Sequence, residues 1–422
     1  MRSVFRTAFI TSICVAALAT IAGAQPDAAA RSRVVVTLES TTDFAAFESQ
    51  FAGDERTQRP AAAYHRRGVL GAVMSLERGH GFRADAFFSR AVEGFAASLT
   101  AAQIDALSRH PLVERIEADT PISLFPIGIA AQTVDWGISK INADISSTAS
   151  GDGTGTIANV NVYVIDTGVD ATHPDLNVVN HVSFFPNEVN ADCNGHGTGV
   201  AGIIAAKDNG DFTVGVAPGA PVTGVKVVGC GGVTLPSYII QGVDWVTANA
   251  VKPAVANVSL GGLIPIIALN TAVQNSAASG VFYAVAAGNG NPFNGQALNA
   301  CYSSPAGAGY NANNVPNGVV TVGATNTADQ EASFSNFGVC VNLWGPGVGV
   351  TSTWLMSDGG TITASGTSFA SPYVAGGAAL LLSRYPTLHP ILVEYVLLVT
   401  ADVTGTLSKD GAAVRRLNVR LY

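Results

Sequence analysis

The sequence predicts an α/β protein in which a parallel β-sheet, covered by helices on both faces, follows a small α+β unit. From about residue 130 onward, uninterrupted apolar runs typical of buried strands alternate with longer helical runs. This alternation indicates a parallel sheet between two layers of helices. Before about residue 120, two strand-like runs flank a helix with start and stop signals, which indicates the separate smaller unit.

The smaller unit spans residues 31–120 and begins with the strand-like run RSRVVVTLES. A helix follows Thr100, with apolar residues at Ile104 and Leu107, and Pro111 ends it. The next run, VERIEAD, is typical of another strand. The segment PISLFPIGIAAQTVDWG then has two prolines and no helical period, so it is interpreted as a linker.

The larger region supplies the alternating runs. They are NVYVIDTG before HGTGVAGIIAAK, PVTGVKVVG before SYIIQGVDWVTANA, AVANVSLGG before IIALNTAVQNSAAS, and VFYAVAAGN and VVTVGAT before the helix that follows Ser368. Active sites of such sheets form at the carboxyl ends of the strands. Polar residues that directly follow these runs are therefore the first candidates for chemistry.

Composition limits the class of protein. Of the 422 residues, 48% are hydrophobic and 12% are charged, which indicates a compact globular chain with more than one domain. The formal net charge is −8, and no basic cluster is present. The sequence therefore argues against a nucleic acid or an anionic membrane surface as partner.

The first residues favour export from the cell. Arg2 and Arg6 precede the apolar run AFITSICVAALATIAGA, which ends in Ala22-Gly23-Ala24. These features predict a signal peptide at residues 1–24 and a secreted, extracellular protein. A membrane anchor is the alternative, but the run is marginal in length for a span, and no second run is long enough.

Four cysteines remain once Cys14 leaves with the signal peptide. An even number in an exported protein indicates two disulfides, and three pairings are open. A zinc site is less favoured because no C-x-x-C pair occurs. The four residues are Cys193, Cys230, Cys301 and Cys340.

Ser368, in GTSFASP, stands at the start of an apolar helical run. It either caps that helix or acts as a nucleophile, which would need a histidine and a carboxylate elsewhere. Of the 7 histidines, His196 stands out because glycines flank it in NGHGTG at the start of another helical run. Glycines allow close approach of the backbone and leave the imidazole uncrowded.

Asp166 is the candidate carboxylate because it ends the apolar strand NVYVI. A carboxylate there needs a partner, although a turn cap is the plain alternative. Asp170 and Asp175 lie past the turn and are expected in solvent. The chain order Asp, His, Ser is that of subtilisin, and no G-x-S-x-G motif supports a lipase or esterase.

At these residues the sequence resembles the subtilase family of serine proteases, in particular its proteinase K-like branch. The resemblance implies a subtilisin-like, three-layer catalytic domain over residues 130–422. Residues 31–120 resemble the family's inhibitory propeptide. The matching stretches are VYVIDTGVDATHPDL, CNGHGTGVAG, NVSLGG, VAAGN and SGTSFASP.

The resemblance implies a role for each catalytic residue. Ser368 would attack the peptide carbonyl, His196 would carry its proton, and Asp166 would orient the imidazole. Asn289 matches the family's oxyanion-hole asparagine, and the Ser368 backbone N–H would be a second donor. No cofactor is needed for this chemistry.

The resemblance also implies a cleft in which an extended peptide pairs with backbone on both sides. Small residues in it, and the absence of acidic ones, predict a broad preference for apolar or aromatic side chains before the cut. The implied substrate-binding residues are Gly232, Ser259, Leu260, Gly261, Ala287 and Gly288.

Disulfide-bearing relatives imply the pairs Cys193–Cys230 and Cys301–Cys340. Two departures from the family pattern stand out. Gly199 replaces the second histidine of H-G-T-H, which is outside the triad. Asn342 stands where relatives carry a calcium-binding aspartate, so a structural calcium ion is expected without a defined position.

The resemblance implies a zymogen. The smaller unit would block the cleft until Ser368 cuts the linker at 121–129, with a mature start near Ala130-Ala131-Gln132-Thr133. We expect a monomer that acts on proteins or peptides and is inhibited by its own propeptide. A peptide-binding pseudoprotease and an ester hydrolase with the same triad are the alternatives.

Overall fold

The computed structural model describes residues 31–39, 67–120, 122–123, 135–291, 294–310 and 315–422. The predicted signal peptide and the predicted mature start lie outside these residues, as does most of the predicted linker. No helix in the described part of the chain is both long and apolar enough to cross a membrane.

The N-terminal unit is a four-stranded antiparallel sheet in the order β2-β3-β1-β4. Its alternating side chains serve two cores: Val34 and Val36 pack beneath the unit's own helices, whereas Val35 belongs to the core shared with the larger domain. Its elements are β1 (Arg31–Leu38), α1 (Arg67–His80), β2 (Ala84–Ser89), β3 (Glu93–Thr100), α2 (Ala101–Ser108) and β4 (Val113–Ala118).

The larger domain is built on a nine-stranded sheet in the order β16-β17-β13-β12-β11-β10-β6-β8-β7. Its strands are β6 (Asn161–Asp166), β7 (Val178–Ser183), β8 (Val222–Lys226), β10 (Ala254–Val258), β11 (Val281–Ala286), β12 (Val319–Thr325), β13 (Leu343–Pro346), β16 (Asp402–Leu407) and β17 (Ala413–Arg416). Its helices are α3 (Trp136–Lys140), α4 (His196–Ala205), α5 (Pro236–Asn249), α6 (Ile267–Ala278), α7 (Thr367–Arg384) and α8 (Pro390–Thr400). Short strands β5 (Ile122–Ser123) with β9 (Val233–Thr234), and β14 (Val350–Thr353) with β15 (Thr361–Ala364), form two-stranded sheets.

Both faces of the large sheet are covered, which explains why its central strands are buried and mostly apolar. Along β6, Val162 and Val164 join the core under α4 and α7, whereas Tyr163 and Ile165 join the core under α5 and α6. The expected three-layer α/β architecture is therefore confirmed. The parallel strands also direct their carboxyl ends to one edge, where Asp166 lies.

Three details differ from expectation. The sheet is not wholly parallel, because β16 pairs antiparallel with β17 at one edge. Ile122 and Ser123, within the predicted linker, form a strand. Asp175 was expected in solvent and is fully buried, because the segment that contains Thr213 and Lys207 covers it.

Candidate active site

Two glycines allow His196 to begin α4 close to the carboxyl end of β6. Gly195 has a φ of 99°, a conformation that side chains other than glycine rarely adopt. At Gly197 a Cβ would lie 2.0 Å from the carbonyl oxygen of Gly168, so a larger residue would separate the helix from the turn after Asp166. The spacing N-G-H-G thus has a direct structural reason.

His196 and Asp166 are both fully buried and in contact. The Nδ1 atom of His196 lies 2.7 Å from Oδ1 of Asp166, which also accepts the Thr167 N–H at 2.7 Å. A carboxylate facing Nδ1 fixes the tautomer that carries its proton there, which leaves Nε2 as an acceptor. Among the described residues, that Nε2 atom has no hydrogen-bond partner.

Ser368 is the second residue of α7, a helix that packs against α4. The Phe369 ring meets the His196 imidazole edge-on, with ring centroids 5.9 Å apart. The Ser368 hydroxyl, however, donates to the carbonyl oxygen of Ser259 at 3.0 Å rather than to His196. The structure therefore brings the serine and the histidine to adjacent helix starts and makes only the Asp–His bond.

Asn289 lies at the start of α7, where Thr367 orients its side chain. Its Oδ1 accepts both the backbone N–H and the hydroxyl of Thr367, each at 2.8 Å. A Cβ on Gly366 would lie 3.0 Å from Nδ2 of Asn289 and 3.7 Å from the backbone nitrogen of Ser368. Two N–H donors thus converge where glycine leaves space.

The predicted substrate-binding residues lie around this point. Ser259, Leu260 and Gly261 follow β10 and are buried, and Ser259 Oγ donates to the Ser368 carbonyl oxygen at 2.8 Å. Ala287 and Gly288 follow β11, and the Gly288 N–H donates to Thr367 Oγ1. These segments and α7 are therefore tied to one another by hydrogen bonds.

Gly232 precedes β9 on the opposite side of the cleft. There β5, which follows the N-terminal unit, pairs antiparallel with β9, with Ile122 opposite Thr234 and Ser123 opposite Val233. The backbone edge expected to bind substrate is thus paired with the chain's own segment.

Three carboxylates that the sequence did not single out hold the N-terminal unit on the larger domain. Asp119 accepts from the N–H and hydroxyl of Ser237 at 2.9 and 2.6 Å, at the start of α5. Glu117 accepts from the N–H groups of Ile267 and Ala268 at 2.8 and 2.9 Å, at the start of α6.

The third carboxylate, Asp244 on α5, acts in the opposite direction. It accepts backbone N–H groups from the turn at Ser89, Arg90 and Ala91 of the N-terminal unit. Burial raises the pKa of Asp244 to about 6, although these hydrogen bonds favour its charged form. The sequence did contain a signal for Asp119 and Glu117. Leu235 and Ile266 precede α5 and α6, and neither side chain can cap a helix, so both helix starts need acceptors from elsewhere.

Both disulfides implied by the resemblance are present. Cys193–Cys230 joins the loop before α4 to the loop before β9, with Cα atoms 5.1 Å apart. Cys301–Cys340 joins segments on either side of β12, with Cα atoms 5.3 Å apart. Cys193–Cys230 thus links the loop before His196 to the segment that contains Gly232.

Gly199 and Asn342, the two departures from the family pattern, have clear surroundings. A Cβ on Gly199 would lie 3.3 Å from the Trp354 indole, so the indole packs against the position that a larger residue would need. Asn342 Oδ1 accepts the Thr321 N–H at 2.7 Å, and Nδ2 donates to Gly309 at 3.2 Å. Its carboxamide is therefore committed to the protein.

Two parts of the chain match known protein families. Residues 158–416 match the model of the Subtilase family of peptidases. The chain belongs to the subtilase family. Residues 33–125 match the family described as Peptidase inhibitor I9. The molecule is thus a subtilisin-like serine protease preceded by an inhibitor-type propeptide domain, the class that the sequence predicted.

Relatives agree with this assignment. The subtilase is 41% identical over 349 residues to alkaline serine exoprotease A of Vibrio alginolyticus, covering 80% of this chain and 60% of that protein. It is 40% identical over 325 residues to the extracellular serine proteinase of Thermus sp. (strain Rt41A), covering 75% of this chain and 73% of that protein. The crystal structure of a cold adapted subtilisin-like serine proteinase superposes with a TM-score of 0.58 at 37% identity, covering 68% of this chain and 99% of that one.

Proposed function

We propose that this subtilase is a secreted endopeptidase that cleaves peptide bonds with Ser368, His196 and Asp166. The observation that carries the proposal is the buried 2.7 Å contact between Asp166 Oδ1 and His196 Nδ1. It leaves the other ring nitrogen as an acceptor near the start of α7. A buried Asp–His pair beside a serine at a helix start is suited to nucleophilic catalysis.

In the first step, the Ser368 hydroxyl turns from the Ser259 carbonyl and donates to His196 Nε2. As Oγ attacks the substrate carbonyl, its proton passes to Nε2, and Asp166 stabilises the imidazolium that forms. His196 then donates this proton to the leaving amine. Water, activated by the same nitrogen, hydrolyses the acyl-enzyme and restores Ser368.

The Asn289 carboxamide and the Ser368 N–H would stabilise the oxyanion of each tetrahedral intermediate. Their convergence beside Gly366 supports this role. Thr367 holds the carboxamide oxygen, which places Nδ2 beside Gly366 before substrate binds. Such preorganised donors stabilise charge as it develops in the transition state.

The substrate would lie as an extended strand between Gly232 and the segment Ser259–Gly261, with its side chain before the cut beside Ala287 and Gly288. The small, uncharged residues there support a broad preference for apolar or aromatic side chains. The pairing of β5 with β9 supports inhibition by the propeptide, because β5 uses the edge that substrate needs.

We infer a domain order of signal peptide, propeptide, processed linker and catalytic domain, with release of a monomeric enzyme near Ala130. The name of the Thermus relative, an extracellular proteinase, supports secretion. The chemistry assigned to the triad needs no cofactor. Sequencing the N-terminus of the secreted enzyme tests the order, and a start upstream of Pro121 would contradict it.

A structural calcium ion is better supported at Asp175 than at Asn342. Asp175 Oδ1 is buried and has no partner among the described residues, while Oδ2 accepts the Thr213 N–H at 3.3 Å. Burial raises the pKa of this carboxyl to about 6. Calcium prefers carboxylate oxygen, and the Asn209 side chain, which donates a hydrogen bond to this carboxylate, is its polar neighbour. Chelation should lower the Tm of wild type and leave that of Asp175→Ala unchanged.

The decisive test compares wild type with Ser368→Ala on chromogenic peptides that carry Phe, Leu or Lys before the cut. We expect cleavage after Phe and Leu, and a loss of at least about 10⁴-fold in kcat in the variant. Ser383→Ala, near the far end of α7, is the matched control and should keep full activity. Equal activity of Ser368→Ala and wild type would refute the proposal.

A further inference from the structure

The turn that follows Asp166 is held by a histidine that the mechanism does not use. The Val169 N–H donates to Nε2 of His181 at 3.1 Å. His181 lies on β7, and its ring is pressed between two glycines: a Cβ on Gly168 would lie 2.6 Å from Nε2, and one on Gly224 would lie 2.5 Å from Cδ2. The imidazole therefore fits closely against this turn.

Asn190 selects the tautomer of this ring. Its Nδ2 donates to the His181 carbonyl oxygen at 3.1 Å, which turns its Oδ1 toward the imidazole, 2.7 Å from Nδ1. A carboxamide oxygen accepts, so Nδ1 carries the proton and Nε2 is free to accept from Val169. A protonated imidazole has donors at both nitrogens and cannot accept this N–H.

The turn held by His181 is bonded to the start of α4. The Gly197 N–H donates to Thr167 Oγ1, and the Asp170 N–H donates to Thr198 Oγ1, each at 2.9 Å. Asp166 and His196 flank these bonds. A shift of the turn would therefore change the contact between the Asp166 carboxylate and the His196 imidazole.

Two charged groups face the imidazole of His181. Asp192 raises its pKa, and the Lys226 ammonium, which pairs with Glu188 at 3.3 Å, lowers it. Burial is the largest influence and leaves the pKa of His181 below its usual value. The ring is therefore neutral at neutral pH, as the hydrogen bond from Val169 requires.

We propose that His181 is a positioning residue for the Asp166–His196 pair and that it acts only as the neutral imidazole. The proposal rests on the proposed function. The hydrogen bond from Val169 is fully present above the ordinary pKa of histidine and is lost as pH falls through the lowered one. Activity should then fall further below neutral pH than it would without a titratable side chain at position 181, because protonation of His181 breaks this hydrogen bond.

The experiment measures kcat/KM from pH 4.5 to 9 for the mature wild type, H181Q and H181F. The Gln oxygen can accept from Val169 without titrating, whereas Phe fills the space and cannot accept. As pH falls below neutral, we expect kcat/KM to drop about tenfold further in wild type than in H181Q, because only the wild-type side chain loses its hydrogen bond from Val169. At pH 8, H181F should be about tenfold less active, the value of one hydrogen bond, and H181Q should match wild type.

His389→Asn is the matched control. His389 also accepts a backbone N–H, that of Ile391 at the start of α8, but it follows the far end of α7 from Ser368. This variant should keep the wild-type pH profile, including the additional loss of activity at low pH.

Different outcomes would contradict the role of His181 and the proposed protease function. An equal loss of kcat/KM at low pH in H181Q and wild type, or full activity of H181F at pH 8, would overturn the role of His181 and leave the proposed triad intact. Absence of Ser368-dependent cleavage in wild type would overturn the proposed function and this inference together.

Discussion

Two pairs of helices begin close to the cleft of this subtilase, and their first turns are satisfied in different ways. The catalytic pair, α4 and α7, which carries the proposed catalytic residues, finds partners within the domain: Asp192 accepts the Thr198 N–H at 3.1 Å, and Asn289 accepts that of Thr367. The docking pair, α5 and α6, has no cap of its own and relies on Asp119 and Glu117 of the propeptide. Removing the propeptide should leave the first pair unchanged and uncap the second.

The largest effect is expected on the catalytic pair. Asn289→Ala removes the carboxamide donor beside Gly366 and the acceptor for the first N–H of α7. We expect kcat to fall by about 10²–10³-fold with little change in KM, because the donor acts on the transition state. Steady-state kinetics check this, and an unchanged kcat would contradict the oxyanion role.

A smaller effect should follow from changing the docking pair. Replacing both Glu117 and Asp119 by Ala in a propeptide added to mature enzyme should weaken inhibition about 10- to 100-fold, since each helix cap contributes about 1 kcal/mol. Glu114→Ala, on the same strand but 41% exposed, is the control and should leave the inhibition constant unchanged. Equal inhibition by all three propeptides would show that the caps contribute nothing to docking.

Asp244 should make docking depend on pH. Its pKa is raised to about 6 when the propeptide is bound, so the complex takes up a proton. Affinity is then greatest below the ordinary Asp pKa of about 4 and falls as pH rises through 6. Calorimetry with Ser368→Ala enzyme, freed of its propeptide by wild-type enzyme that is then removed, should show a decline in affinity of tens of fold between pH 4 and 7. Asp244→Asn should remove this decline.

Glu394 provides the counterpart inside the catalytic domain. This buried carboxyl on α8 accepts the N–H groups of Asn317 and Gly318, each at 2.7 Å, and burial raises its pKa to about 7. Its raised pKa should cost stability as pH rises from about 4.5 through 7. Because its hydrogen-bond donors Asn317 and Gly318 lie in the catalytic domain, Glu394→Gln should flatten the dependence of Tm on pH by a few degrees in precursor and mature enzyme alike.

The sequence predicted the elements whose residues are buried on both faces. The strands β6, β8, β10, β11 and β12 are mostly apolar and buried along nearly their whole length, so they were predictable without knowledge of their neighbours. The run of β13, LWGP, is short and contains Gly and Pro, and β16 alternates in exposure at the sheet edge. Their pairing depends on contacts across the fold, and the sequence did not predict them.

The candidate site likewise has features that the sequence predicted and features that it did not. Motifs predicted the positions of Asp166, His196, Ser368 and Asn289, because glycines and helix starts mark them locally. The sequence could not predict that the Ser368 hydroxyl bonds to Ser259, since that choice depends on a carbonyl 109 residues away. The sequence also could not predict the role of Asp244, because its partners at residues 89–91 belong to the propeptide.

The pairing of β5 with β9 has a consequence in time. The edge of β9 can pair with either β5 or a substrate. A newly cut molecule should therefore remain inactive until its propeptide is destroyed. We expect another copy of the enzyme, already free of its propeptide, to destroy it. Activity in a fresh preparation should therefore rise with a lag and then accelerate, and a trace of mature enzyme added at the start should shorten the lag in proportion to the dose.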